Sequence, residues 1–133
     1  MNGSALRNIL HVDDEPDIRE VVQLSLGLMD GWNVQSVASG REAISVLREA
    51  APDLVLLDYM MPEMDGTAIL AALRADPATR HIPVVFMTAK SMPAEVAKLV
   101  AAGAAAVIAK PFDPLKLGPQ LLDIWHAETA ADC

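Results

Sequence analysis

With 133 residues, this chain has room for one domain with a substantial core and little room for a second. Its 53% apolar and 21% charged residues argue against a disordered chain, and no apolar run approaches the ~20 residues that span a bilayer. A net charge of −8 disfavours nucleic acid or an anionic membrane as a direct partner.

Five short apolar runs alternate with five segments of helical period. "NILHVDD" (8–14) reads as a first strand that contains His11 and ends in Asp13-Asp14. Pro16 then opens a helix with Ile18, Val21, Val22 and Met29 on one face. "NVQSVA" (33–38) is the second strand and ends blandly at Ala38, while Ala43, Leu47 and Ala50 mark the helix after Gly40. "DLVLLD" (53–58) ends in a carboxylate, Asp58, and the helix carrying Ile69, Leu70 and Leu73 starts near Asp65. "IPVVFMT" (82–88) ends in Thr88; Val96, Leu99 and Val100 follow Pro93, with Gly103 as the expected C-cap. "AAVIAK" (105–110) ends in Lys110, and Leu117, Leu121, Ile124 and Trp125 mark the last helix. Gly118-Pro119 interrupts that helix, since proline lacks a donor and clashes with the carbonyl four residues earlier. Either a kink or a short turn at 114–117, with a helix starting at Pro119, is expected there.

Brief runs rich in Val, Ile and Leu suit strands buried on both faces. Strict β-α alternation implies right-handed crossovers and a parallel sheet covered by helices on both sides. The stretch Ile9 to Val12 is too short for the apolar segment of a signal peptide, and Cys133 is the one cysteine, so a reducing cytoplasm is the expected compartment.

Ligands of open parallel α/β sheets bind beyond the carboxyl ends of the strands. Four of the five runs deliver a polar group to that edge: Asp13-Asp14, Asp58, Thr88 and Lys110. A lone aspartate at a strand tip is commonly a cap or a solvated end, and Asp13-Asp14-Glu15 would also favour the positive N-terminus of the next helix. The convergence of all five groups points instead to a site. Carboxylates about 5 Å apart repel by on the order of 3 kcal/mol per pair at an effective dielectric of ~20, more than Lys110 alone can offset. A hard divalent cation can, and an all-oxygen site with few protein ligands suits Mg²⁺. Mg²⁺, a lysine and a hydroxyl around one carboxylate are what phosphoryl transfer to that carboxylate requires. No Walker-type glycine-rich loop is present, which disfavours a nucleotide donor. The scattered His11, His81 and His126 lack ligand spacing, Asp17 and Glu20 read as solvated face, and Met60, Met61 and Met64 suit loop packing better than an oxygen-rich metal site.

Taken together, "ILHVDDEPDIR", "DLVLLDYMMPEMDG", "PVVFMTA" and "KPF", in this order and spacing, resemble the receiver domain of two-component response regulators from roughly Arg7 to Glu128. The resemblance implies a flavodoxin-like (βα)5 three-layer sandwich with a parallel five-stranded sheet in the order 2-1-3-4-5. It implies that Asp58 accepts a phosphoryl group from a phosphohistidine of a sensor histidine kinase or phosphotransfer protein. By the same resemblance Asp14 is the direct Mg²⁺ ligand, Asp13 acts through water, and Asp58 and the Met60 backbone carbonyl complete the protein ligands. Thr88 matches the switch hydroxyl, Lys110 the lysine that pairs with the phosphate, and Lys110-Pro111 a cis peptide bond. Met60 and Lys90 match the positions that flank the attacking water. Val107 stands where many receivers carry a Tyr or Phe that swings inward, which points, with Gly118-Pro119, to an altered output surface.

A single receiver domain over 1–133, with its core at 7–128 and no output domain, is expected to act by binding a downstream protein or relaying its phosphoryl group, as a monomer or weak dimer. It is not expected to be an enzyme beyond assisting its own phosphorylation and dephosphorylation. A receiver excised from a larger regulator or hybrid kinase would look similar. An aspartyl-phosphate phosphatase or transferase commonly places a second Asp two residues after the nucleophile, where this chain has Met60. A phosphorylation-independent binding module commonly loses one of the acidic pair, the acceptor or the lysine, all of which are present here.

Overall fold

A computed structural model describes residues 5–59, 66–89 and 92–130. Each apolar run forms a strand and each periodic segment a helix: β1 (Asn8–Val12), α1 (Pro16–Leu26), β2 (Asn33–Val37), α2 (Gly40–Glu49), β3 (Leu54–Asp58), α3 (Gly66–Ala75), β4 (Val84–Thr88), α4 (Pro93–Ala101), β5 (Ala106–Ala109) and α5 (Leu117–Ala130). All neighbouring strands pair in parallel, in the order β2-β1-β3-β4-β5. This is the flavodoxin-like three-layer sandwich anticipated from the resemblance.

Side chains alternate across the pleat, so each strand feeds both layers. Leu10, Val12, Val55, Leu57, Val84 and Phe86 meet Ala43 of α2, Ile69, Leu70 and Leu73 of α3, and Leu99 of α4. On the opposite face Ile9, Leu54, Leu56, Val85, Met87 and Ile108 meet Val22 and Leu26 of α1 and Leu117, Leu121 and Trp125 of α5. Every residue of β3 and β4 is buried. The sheet centre therefore holds the C-terminal ends of β1, β3 and β4 in a rigid frame. No helix among the described residues is long and apolar enough to cross a membrane.

Helix ends follow their local chemistry. Pro16 and Pro93 occupy first helical positions, where the missing donor costs nothing. Gly103 lies one residue past the cap of α4 at φ +117, and the Gly103 and Ala104 amides return to the Val100 and Leu99 carbonyls in a Schellman closure.

Two helical faces are shorter than the periodicity suggests. Met29 lies beyond the end of α1, and Ala50 is the exposed C-cap of α2. At Gly118-Pro119 the chain makes a turn at 114–116, capped by the Asp113 carboxylate on the Leu115 amide, and α5 starts at Leu117. Pro119 is thus the third residue of α5 rather than its first. Its missing donor falls in the first turn, where helix amides have no acceptor of their own. Gly118 sits close against Met29: a Cβ there would lie 2.5 Å from Met29 Cγ, so the Met29 side chain would have to move aside.

Candidate functional site

The site gathers at the C-terminal edge of the sheet. Asp13 follows β1, Asp58 ends β3, Thr88 ends β4 and Lys110 follows β5. Asp58 pairs in register with Met87, so Thr88 stands one position farther along the neighbouring strand, and the Lys110 amide donates to the Thr88 carbonyl at 2.9 Å. Asp13, Asp14 and Asp58 offer carboxylate oxygens that all lie within 4.8 Å of one another, and they form the metal-competent group found among the described residues. The Lys110-Pro111 peptide bond is cis.

Burial separates the two adjacent aspartates. Asp13 is fully buried and pinned from every side. Its amide donates to the Val37 carbonyl at 3.1 Å, and its Oδ1 accepts the Glu15 amide at 2.9 Å. Its Oδ2 accepts Lys110 Nζ at 2.9 Å, and its carbonyl accepts Arg19 Nη1 at 2.8 Å. Asp14 is the open member of the trio. Asp58 is 4% exposed, with Lys110 Nζ 3.3 Å from its Oδ1. Burial by itself pulls the Lys110 ammonium down, but the hydrogen bonds and charges of Asp13 and Asp58 together outweigh it and raise its pKa. One ammonium thus bridges two buried carboxylates.

Below this layer, His11 is buried on the α1 side of β1 with Nδ1 3.1 Å from Ser36 Oγ. Desolvation lowers its pKa from 6.5 to about 4, with Lys110 and Arg19 adding to the effect against the attraction of Asp13. The imidazole is neutral at pH 7 and adds no charge to the cluster.

All of the aspartates, the threonine and the lysine singled out from the sequence converge on this edge. Met60, Met61, Met64, Lys90 and Cys133 lie outside the described residues. Val107 is half-buried, pairs in register with Phe86 and packs against the α2–α4 core, while Tyr59 meets Phe86 edge-on with ring centroids 5.8 Å apart. Arg19 escaped the sequence reading. Its one signal was a cation six residues after Asp13 on the first helix.

The donor set is all oxygen, compact and anionic, which fits a hard divalent cation and not a soft metal that prefers sulfur or imidazole. Asp13 already spends both oxygens on Glu15 and Lys110, whereas Asp14 faces the open side.

The sequence model of the response regulator receiver domain matches residues 9–121. The chain belongs to the response regulator receiver family. Response regulator Rre1 of Synechocystis is 40% identical over 110 residues, covering 83% of this chain and 48% of that protein. The receiver thus spans about half the length of this curated relative. Among solved structures, the chemotaxis response regulator CheY4 of Vibrio cholerae superposes with a TM-score of 0.83 at 30% identity, covering 90% of this receiver and 99% of that chain. The signal receiver domain of a signal transduction histidine kinase from Syntrophus aciditrophicus gives a TM-score of 0.79 at 34% identity, covering 91% of both chains. The chain is a receiver domain of two-component signalling, a system in which receivers interact with histidine kinases.

Proposed function

We propose that Asp58 of this receiver accepts a phosphoryl group from a phosphohistidine on a histidine kinase or phosphotransfer protein, and that the acyl phosphate switches binding to a downstream protein or passes the group onward. The observation that carries this reading is the single ammonium of Lys110 held between Asp13 and Asp58, 2.9 and 3.3 Å away, beside the open carboxylate of Asp14. An Asp58 carboxylate oxygen attacks phosphorus, the phosphorus–nitrogen bond breaks, and its electron pair stays on the donor imidazole, which takes up a proton. Lys110 is positioned to follow the charge from the carboxylate onto the phosphoryl oxygens. Thr88, at the tip of the adjacent strand, supplies a hydroxyl to the product.

Asp14 and Asp58, with water through Asp13 and the Met60 carbonyl, are the groups that would hold Mg²⁺. Bound there, the ion supplies charge neutralisation for the phosphoryl oxygens. The receiver acts on no further substrate in this reading, beyond assisting its own phosphorylation and dephosphorylation.

Intact mass after incubation with acetyl phosphate, and with a phosphorylated kinase, tests the proposal. A Mg²⁺-dependent adduct of one phosphoryl group on the wild type, absent from Asp58→Asn, is expected. No adduct from either donor would move the phosphorylation-independent binding module to first place.

A further inference from the structure

We infer that Arg19 is a positioning residue for the acidic centre: its guanidinium fixes the Asp13–Asp14 peptide, and through it the direction in which Asp14 presents its carboxylate to a divalent cation. This rests on the receiver reading above and deepens it. Arg19 is the fourth residue of α1, half-buried, and its side chain turns back toward the strand end. Nη1 donates to the Asp13 carbonyl at 2.8 Å, while the Arg19 amide donates to the Glu15 carbonyl at 3.1 Å. The β1–α1 turn is therefore closed from both of its ends by one residue.

The consequence for Asp14 is geometric. A peptide unit is planar, so holding the Asp13 carbonyl holds the Asp14 nitrogen in the same plane. The Asp13 amide is already bonded to Val37 and its carboxylate to Glu15 and Lys110, which leaves its carbonyl as the remaining handle. Arg19 occupies it. With Asp13 fixed at all four groups, Asp14 leaves the turn in one direction, toward the oxygens of Asp13 and Asp58. A second effect has the same sign: Arg19 places a further cation beside three crowded carboxylates, close enough to act on the buried His11.

Groups that orient ligands without touching the metal typically change metal affinity by about 10–100-fold when removed. Calorimetric titration with Mg²⁺ of the wild type, Arg19→Met and Arg19→Lys reads this directly. About tenfold weaker binding is expected for Arg19→Met, and a smaller loss for Arg19→Lys, which keeps the charge and one donor. In the metal-free state the backbone amide signals of Asp14 and Glu15 shift in both variants. Both variants binding Mg²⁺ within twofold of the wild type, whatever happens to their melting temperature, would overturn the assignment and leave Arg19 as a tie within the fold. If Arg19→Met does not fold, Arg19→Lys decides alone by the same twofold criterion. Phosphoryl uptake is scored separately on the wild type. Mg²⁺ binding without uptake overturns the proposed phosphorylation of Asp58 and leaves Arg19 to be judged on affinity, whereas a wild type that binds no Mg²⁺ overturns both.

Discussion

Asp13 and Lys110 meet at 2.9 Å across 97 residues of chain, and the carboxylate end of that pair is wholly buried. Its neighbour Asp14 is the open carboxylate of the trio. Two adjacent, chemically identical residues therefore carry opposite energetic signs. Asp13→Asn removes one of the two carboxylates that the half-buried Lys110 ammonium faces, and a loss of about 2 kcal/mol is expected, below the ~3–5 kcal/mol of a fully broken buried pair because Lys110 is partly solvated and Asp58 still faces it. Asp14→Asn relieves repulsion without breaking a bond, and a gain of up to about 1 kcal/mol is expected in metal-free buffer. Urea unfolding of both variants in the presence of a chelator measures the two signs. Equal shifts would show that the cluster is not divided in this way.

His11 makes the receiver sensitive to acid. Its pKa is lowered from 6.5 to about 4 on folding, chiefly by burial, so the unfolded chain takes up a proton that the folded chain refuses. Stability is accordingly full above 6.5 and is lost as pH falls from 6.5 to about 4; at about 1.4 kcal/mol per pH unit, the loss amounts to roughly 3 kcal/mol. Urea unfolding at pH 7.0 and 4.5 should show a smaller decline for His11→Phe than for the wild type. Parallel declines would assign acid sensitivity to other groups.

Two glycines face similar collisions with different outcomes. A Cβ on Gly66 would lie 2.4 Å from Phe86 Cε1 and 3.2 Å from the Asp58 carbonyl, both held in the buried sheet centre. Gly66→Ala is expected to cost about 1–3 kcal/mol and, under the proposed function, to slow phosphorylation, since the strain falls on Asp58. A Cβ on Gly118 meets the Met29 side chain, whose unbranched stem can move aside. Gly118→Ala should change stability by less than about 1 kcal/mol, helped by the better helix propensity of alanine. Thermal unfolding and the rate of adduct formation separate the pair.

Arg74 provides a control far from the chemistry. Its guanidinium donates to the carbonyls of Arg80 and Ile82, at 3.0 and 2.8 Å, and to Gly103 at 3.0 Å, joining the α3–β4 and α4–β5 connections. The planar fork reaches all three, which a lysine cannot do. Arg74→Lys should lower stability by about 1–2 kcal/mol while leaving Mg²⁺ affinity and phosphorylation rate unchanged. A change in Mg²⁺ affinity would show that this tie is coupled to the acidic edge.

Most of the fold was legible in the sequence because it rests on local periodicity. Leu54 to Leu57, and Val84 to Met87, read as strands with apolar groups on both faces, and the alternation with helical segments fixes a parallel sheet. A polar residue closing such a run must emerge at the carboxyl edge, so Asp58, Thr88 and Lys110 could be placed from spacing alone. Local pattern was a poorer guide at the helix ends: Met29 lies past the end of α1 with its side chain against Gly118, and α5 begins at Leu117 where Asp113 caps the preceding turn. The asymmetry between Asp13 and Asp14 could not be read from adjacent identical letters. It arises because the sheet order brings Lys110 and Val37 to Asp13, and α1 folds Arg19 back onto its carbonyl. Periodicity records which way each side chain leaves the backbone. Which partner waits there depends on contacts distant in the chain, and these exist only once the layers have packed.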